Sequence, residues 1–164
     1  MSGRRPRWLS PALVLGVAAL LTAALAAWLG HLVQEDRAST DAREQALAAA
    51  RRDAPMLLSY DYRHLDQDFA KAKARLTGPF RNEYARTTST VVKPVALRSR
   101  AVVTADAVAA SVVWAQPDQA QVLLFANQHT TSTRISGSRV DLNRVRMTLR
   151  RTGHDWLVSN IEAL

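Results

Sequence analysis

Residues 121–129 read QVLLFANQH, and Val122, Leu123, Leu124 and Phe125 are apolar at four successive positions. Alternating apolar and polar residues mark a strand with one wet face, whereas an unbroken apolar run of this length marks a central strand covered on both faces. The stretch therefore fixes a sheet in the second half of the chain. Downstream, 130–138 is hydroxyl-rich, holds Gly137 and reads as a loop. Val145, Met147 and Leu149 then alternate with Arg144, Arg146, Thr148 and Arg150, a half-buried strand with a basic solvent face. Thr152-Gly153-His154-Asp155 turns the chain into a last strand, with Trp156 and Val158 on one face and Leu157 and Ile161 on the other. Upstream, 95–103 and 107–116 are rich in β-branched and small residues, and Pro117-Asp118 supplies a turn.

Before Pro94 the spacing becomes helical. Pro79 suits the first turn of a helix with Phe80, Tyr84, Thr88 and Val91 on one side, ending before Pro94. Thr77-Gly78-Pro79 stops an earlier helix carrying Phe69, Ala72 and Leu76 at helical spacing, with Asp66 as its cap. Between Glu35 and Ala54, the residues Ala38, Ala42, Ala46, Ala49 and Ala50 form a small-residue stripe among Asp, Arg, Glu and Gln. Such a stripe packs closely against something. Pro55 either ends or kinks that helix, and Met56, Leu57 and Leu58 follow as an apolar patch. Helices first and antiparallel strands afterwards make the class α+β.

From Leu9 to Leu29 no residue is charged, and the run has the roughly twenty residues a helix needs to cross about 30 Å of hydrocarbon. Leu9, Leu13, Leu15, Leu20 and Leu25 supply the apolar surface, and Trp8 and Trp28 stand at the two ends where indole rings prefer the interface. A buried helix would show a polar face over 13–27, and none exists. A cleaved secretory signal ending near Ala24-Leu25-Ala26 is the rival, but its apolar region spans only about 7 to 15 residues. Arg4, Arg5 and Arg7 precede the run and outweigh the more distant Arg37 and Arg43, which puts the N-terminus in the cytoplasm and the C-terminal part outside. The expected organisation is a cytoplasmic stretch 1–8, a transmembrane anchor 9–29 in the plasma membrane, an Ala-rich juxtamembrane helix 30–58 and an α+β domain 59–164, with helices over 59–93 and the sheet over 95–162.

The chain carries 22 Lys+Arg against 14 Asp+Glu, a formal net charge of +8. Three of these cations are topology determinants, and the dense stretch Arg144, Arg146, Arg150 and Arg151 lacks the aromatic interleaving of single-strand binders, which argues against nucleic acid as a partner. The absence of cysteine removes disulfides, thiolate metal sites and cysteine nucleophiles. His31, His64, His129 and His154 show no paired metal-ligand spacing, and no GxSxG, phosphate loop or HExxH occurs, so no metal, cofactor or catalytic set is expected.

Acid, base and aromatic residues crowd together only at Tyr60-Asp61-Tyr62-Arg63-His64, with Asp66 following. A carboxylate in an apolar pocket gains a pKa suited to proton transfer, but one local cluster does not supply converging groups. Tyr60, Asp61 and Tyr62 are therefore expected at a partner surface or pocket, together with Trp114 and Gln128, polar or aromatic residues near strand ends. The plainer reading of Gln128 and its neighbour Asn127 is a satisfied core hydrogen bond.

The order of anchor, Ala-rich helix and the segments Ser59-Tyr60-Asp61-Tyr62, Leu76-Thr77-Gly78-Pro79-Phe80, 122–128 (VLLFANQ) and 153–158 (GHDWLV) resembles the actinobacterial Mce-associated membrane proteins. The resemblance implies a cone-shaped domain similar to nuclear transport factor 2 and the cystatins. It further implies a non-enzymatic accessory or scaffold subunit of an Mce-type lipid-import complex, acting through an exported domain that binds protein partners and offers the mouth of its cone to a lipid ligand. Two alternatives share the cone. One is an anchored assembly component of a type IV secretion or conjugation-like machine, and the other is a ketosteroid-isomerase-like enzyme using Asp61 or Asp106 in the pocket.

Overall fold

The computed structural model describes residues 11–164, with side chains placed for 20–28 and 37–164. Two compact units divide the chain, Met1–Arg37 and Ala38–Leu164. In the first, the topology residues Arg4, Arg5 and Arg7 and Leu9 of the expected anchor lie outside the described residues, and the side chains of Leu13 and Leu15 are not described. Leu20, Leu21, Leu25 and Trp28 are all exposed to more than half of their surface. Among the described residues no helix is long and apolar enough to cross a membrane. The span expected over 9–29 is not recovered there, where only residues 20–28 have described side chains.

Helix α1 runs Pro11–Leu58. The second unit continues with β1 (Tyr60–Asp61), α2 (Leu65–Ala74), α3 (Gly78–Thr87), a widened turn Thr88–Val92, α4 (Lys93–Ser99) and strands β2 (Val102–Ala115), β3 (Gln119–Thr131), β4 (Ser138–Thr152) and β5 (Asp155–Ala163). The five strands lie in chain order in one antiparallel sheet with β3 in the middle, as its apolar run requires. The fold is α+β, helices packed on a curved antiparallel sheet.

The inner face of the sheet presents Ala120, Val122, Leu124, Val145, Met147, Leu149 and Val158. Against it lies the alanine face of α1, with Ala42, Ala46 and Ala50 fully buried and Ala49 and Ala54 nearly so. Residues spaced three and four apart share one helix face, and methyl side chains let the backbone lie close to the strands. Polar ties fix the helix along the sheet. Arg43 donates to the Val112 carbonyl at 3.2 Å and Arg51 to that of Ala110 at 3.4 Å. Trp156 Nε1 donates to Gln45 at 3.1 Å, and Gln128 Nε2 donates to the Leu58 carbonyl at 2.9 Å. Because β1 pairs only with Val102 and Val103, the two arginines also occupy acceptors along the part of the β2 edge that β1 does not reach.

Asp53 has no exposure, and it lies on the same face of α1 as the alanines. Its Oδ1 accepts from Arg52 Nε at 2.8 Å and from Arg75 Nε at 3.0 Å, and its Oδ2 accepts from Arg52 Nη2 at 3.0 Å. Arg75 follows α2, and its Nη2 reaches the Trp156 carbonyl of β5 at 3.4 Å. One carboxylate therefore links α1, the end of α2 and β5. Just beyond, Leu76 bridges to Val158 and Thr77 N–H donates to the Val158 carbonyl at 2.9 Å.

Four local expectations are corrected. Asp66 is not a cap: His64 holds that position without a side-chain bond, and Asp66 sits inside the first turn and pairs with Lys93. Residues 95–99 are helix, not strand, because the widened turn Thr88–Val92 opens the backbone ahead of Pro94, whose ring would otherwise strike the carbonyl four residues earlier. Helical structure thus runs through Pro94 to Ser99, and β2 starts at Val102 as one strand of 14 residues. Pro55 does not end α1, which continues through it to Leu58. In β5 a register shift opposite Thr148 and Leu149 pairs Val158 with Leu149 and Ile161 with Met147. Both partners face the core, so Ile161 shares the inner face with Val158 rather than lying opposite it.

Replacing Ala50 by Leu should destabilise the fold by about 1–3 kcal/mol through overpacking. Ala48→Leu, two residues away on the exposed side of the same helix, should change stability by less than about 0.5 kcal/mol. Urea unfolding midpoints of the two variants test the seating of α1, and equal midpoints would contradict it.

Candidate functional site

The last turn of α1 brings Pro55 and Met56 over Ser59, where the chain leaves the helix for β1. Between this corner, α2 and the start of β2 opens a groove of about 470 Å³, lined by Pro55, Met56, Tyr60, Asp61, Asp68, Lys71 and the strand 102–105. Ser59 Oγ accepts from Ala105 N–H at 2.8 Å and Tyr62 N–H donates to the Ala101 carbonyl at 3.0 Å, which stitches the corner to β2. The wall is largely apolar, and polar groups enter it from two sides.

Asp61 is spoken for on both oxygens. Its Oδ1 accepts from the Arg63 backbone at 2.9 Å and from Arg63 Nε at 3.0 Å, while Oδ2 takes the guanidinium Nη2. The Arg63 side-chain hydrogen bond, followed by its backbone N–H, holds the Asp61 carboxyl down at about 2. Asp68 turns back from α2 and accepts the Asp61 N–H at 3.0 Å. Lys71, on the next turn of α2, is exposed at the rim and has no paired carboxylate among the described residues.

Behind the groove, Tyr60, Phe69, Tyr84 and Phe80 form a chain of rings with successive centroids 6.0, 6.4 and 6.5 Å apart. Burial pushes the Tyr60 phenol up. Burial, with the charge of Asp68 second, pushes Tyr84 up to about 12, so it stays a neutral donor and its hydroxyl points to the Leu57 carbonyl at 3.4 Å. These aromatics tie the C-terminal end of α1 to α2 and α3.

Of the residues singled out in the sequence, the structure brings Tyr60 and Asp61 into this groove. Tyr62 stands beside it beneath the Arg63 guanidinium, 5.8 Å from the ring centroid. Gln128 lies elsewhere, inside, where it bonds the Leu58 carbonyl and accepts from Asn143 at 2.6 Å. Trp114 is half-buried at a register shift in β2, opposite Gln121. Asp53, Asp68, Lys71 and Arg75 escaped the sequence reading. Asp53 did leave a signal, since a lone carboxylate at the spacing of the alanine stripe requires a buried cation.

The enzyme alternative required Asp61 or Asp106 inside the cone. Asp106 lies opposite Asn127 on the outer side of the sheet and is exposed. Asp61 is clamped by Arg63, and a carboxyl held near 2 is a poor base at neutral pH. Neither carboxylate meets the requirement. Among the described residues no group of His, Asp and Glu stands ready to hold a metal ion.

In a carboxyl-detected NMR titration, Asp61 should show a midpoint of about 2. Arg63→Ala should raise it toward the ordinary value of about 3.9 but short of it, because the backbone N–H at position 63 still donates to the carboxylate. Because the folded value is depressed, the pair's contribution is complete above the unfolded value and is lost as pH falls toward 2, and exposure to solvent keeps it small. A midpoint unmoved by the substitution would contradict the clamp.

The sequence is 34% identical over 143 residues to the "Uncharacterized protein Rv1362c" of Mycobacterium tuberculosis, an alignment covering 85% of this chain and 64% of that protein. The chain thus spans less than two thirds of that relative's length. It is also 34% identical over 147 residues to the "Outer membrane protein Rv1973" of the same organism, covering 88% of this chain and 91% of that one. Among solved structures, an IcmL-like type IV secretion system protein of Legionella pneumophila matches with a TM-score of 0.64 at 12% identity, covering 74% of this chain and 91% of that one. The periplasmic domain of DotI matches with a TM-score of 0.59 at 14% identity, covering 72% and 91%. At such identities the likeness is one of fold. The family described as "Uncharacterized protein Rv1363c/MT1408-like" matches residues 10–164, and the chain belongs to that family.

Proposed function

We propose that this protein is a non-enzymatic, membrane-anchored assembly subunit of a cell-envelope machine, working through its α+β unit. The observation that carries the reading is the match of that unit to an IcmL-like type IV secretion system protein across 91% of that chain, and to the periplasmic domain of DotI across 91% of that one. A relative named as an outer membrane protein supports an envelope location. For the anchor, the support is the uncharged run from Leu9 to Leu29, with Leu20, Leu21, Leu25 and Trp28 unburied by protein. Confining a subunit and its partners to one surface raises their effective concentration, so modest contacts suffice for assembly. The groove beside Asp61 and Lys71 is an open contact surface, with no catalytic set converging on it.

The resemblance to Mce-associated proteins points to lipid import as the partner system, and it rests on the sequence segments alone. Neither relative and neither structure above bears a lipid-import name. The secretion-like assembly role has the wider support, because it draws on the fold of the whole unit.

Crosslinking in intact membranes followed by affinity capture of the full chain tests both. Recovery of secretion-type envelope components supports the reading, and recovery of Mce-system subunits replaces it with the lipid-import role. A chain washed free of membranes by carbonate, with no captured partner, would overturn both.

A further inference from the structure

The apolar run 122–125 asks for cover on both sides of β3, and the unit supplies it on one. Val122 and Leu124 face α1 with no exposure. Leu123 and Phe125 face the other way, half-buried only by their strand neighbours. Residues directly opposite share a face, so Ser111 and Arg146 flank Leu123, and Ala109 and Arg144 flank Phe125. No helix of the unit packs there: Ala109, Ser111 and Arg144 are exposed, and Leu142, opposite Asn127 on the same side, is 70% exposed. Trp114 extends the apolar band toward the far end of β2.

The charges on this face say what covers it. Arg146 is committed to Glu162 at 3.3 Å. Arg144 and Arg150, on the same side of β4, have no carboxylate partner among the described residues. The face is therefore an apolar band along β2 and β3, bordered on β4 by unpaired cations. A second copy is disfavoured, because a self-complementary contact needs an acidic row on this same face to meet Arg144 and Arg150, and among the described residues the face offers Glu162, already paired with Arg146, and the single Asp106. A lipid surface is disfavoured because the face is of mixed charge, with Glu162 and the exposed Asp106 among its cations, whereas an anionic headgroup layer favours a uniformly basic patch.

Resting on the assembly role proposed above, we propose that the outer sheet face is the docking surface for a protein partner that presents an apolar strip beside a row of Asp or Glu. The apolar strip seats on Leu123, Phe125 and Trp114, and the acids pair with Arg144 and Arg150. Desolvated apolar contacts at the centre supply affinity, and the charged rim sets register and association rate.

The test uses the full chain in its own membranes, with a photo-reactive phenylalanine in place of Leu142 and, in a control chain, in place of exposed Ser89 on the helical side. The expected result is a protein adduct at Leu142 whose crosslinked segment is apolar and flanked by acids. Its yield should fall about tenfold in the Arg144→Glu, Arg150→Glu variant, as like charges meet across the interface. Recovery of that yield by Asp→Arg or Glu→Arg in the partner would complete the case. Both arginines are exposed, so the variant should keep its circular dichroism and unfolding midpoint. An adduct to another copy, an adduct to lipid, a protein adduct indifferent to the charge reversal, or protein capture at Ser89 without any at Leu142 would each overturn the proposal while leaving the assembly role standing. Absence of protein capture at every position would remove both.

Discussion

The seating of α1 on the sheet depends on one buried carboxylate. Asp53 is fully enclosed on the alanine face and shared between Arg52 and Arg75, which makes it the point where α1, α2 and β5 are locked together. Alanine methyls give close approach but little rotational preference, since one small side chain resembles the next. The ion cluster supplies that preference, because only one rotation of the helix brings Asp53 to Arg75. Once the helix is set, Gln45 meets Trp156, Arg43 and Arg51 meet the β2 carbonyls, and Gln128 meets Leu58. A buried charge is a weak source of net stability and a strong source of specificity when its partners are complete. That is its use here.

The groove and the outer face both follow from this arrangement. Because α1 ends at Leu58 over the start of β2, the chain must turn sharply through Ser59 into a strand of two residues. That short strand leaves the corner open, with Asp61, Asp68 and Lys71 at its rim. Because all the helices of the unit gather on the inner face, the outer face of β3 is left with apolar residues that nothing in the unit covers. A module whose interior is packed and whose uncovered surfaces are apolar with cationic borders is suited to contact rather than to catalysis.

Much of the fold was legible in the sequence, and the misses have particular causes. The middle position of β3, the alternation of β4 and the turn at Gly153 were readable because strand period, apolar pattern and turn chemistry agree there; Gly153 has φ of +65°. Helix α4 was misread because Pro94 was taken as a barrier, whereas a widened turn ahead of it makes room. The inward side of Ile161 was misread because a bulge shifts the pairing, so a strict period of two counted on from Val158 assigns it to the wrong face. Of the candidate site, Tyr60 and Asp61 were visible as a local cluster. Asp68, Lys71 and the β2 wall were not, because they meet only through the folding of α2 against β1.

The most direct test of the account is the unfolding free energy of Asp53→Ala. Stability should fall by about 3 kcal/mol, because Arg75 is left without its buried partner. The protection of the Trp156 indole N–H from hydrogen exchange should be lost as well, as α1 loses its fixed rotation. A variant as stable as the parent, with that indole still protected, would show that the alanine face seats without the charge and would contradict the account.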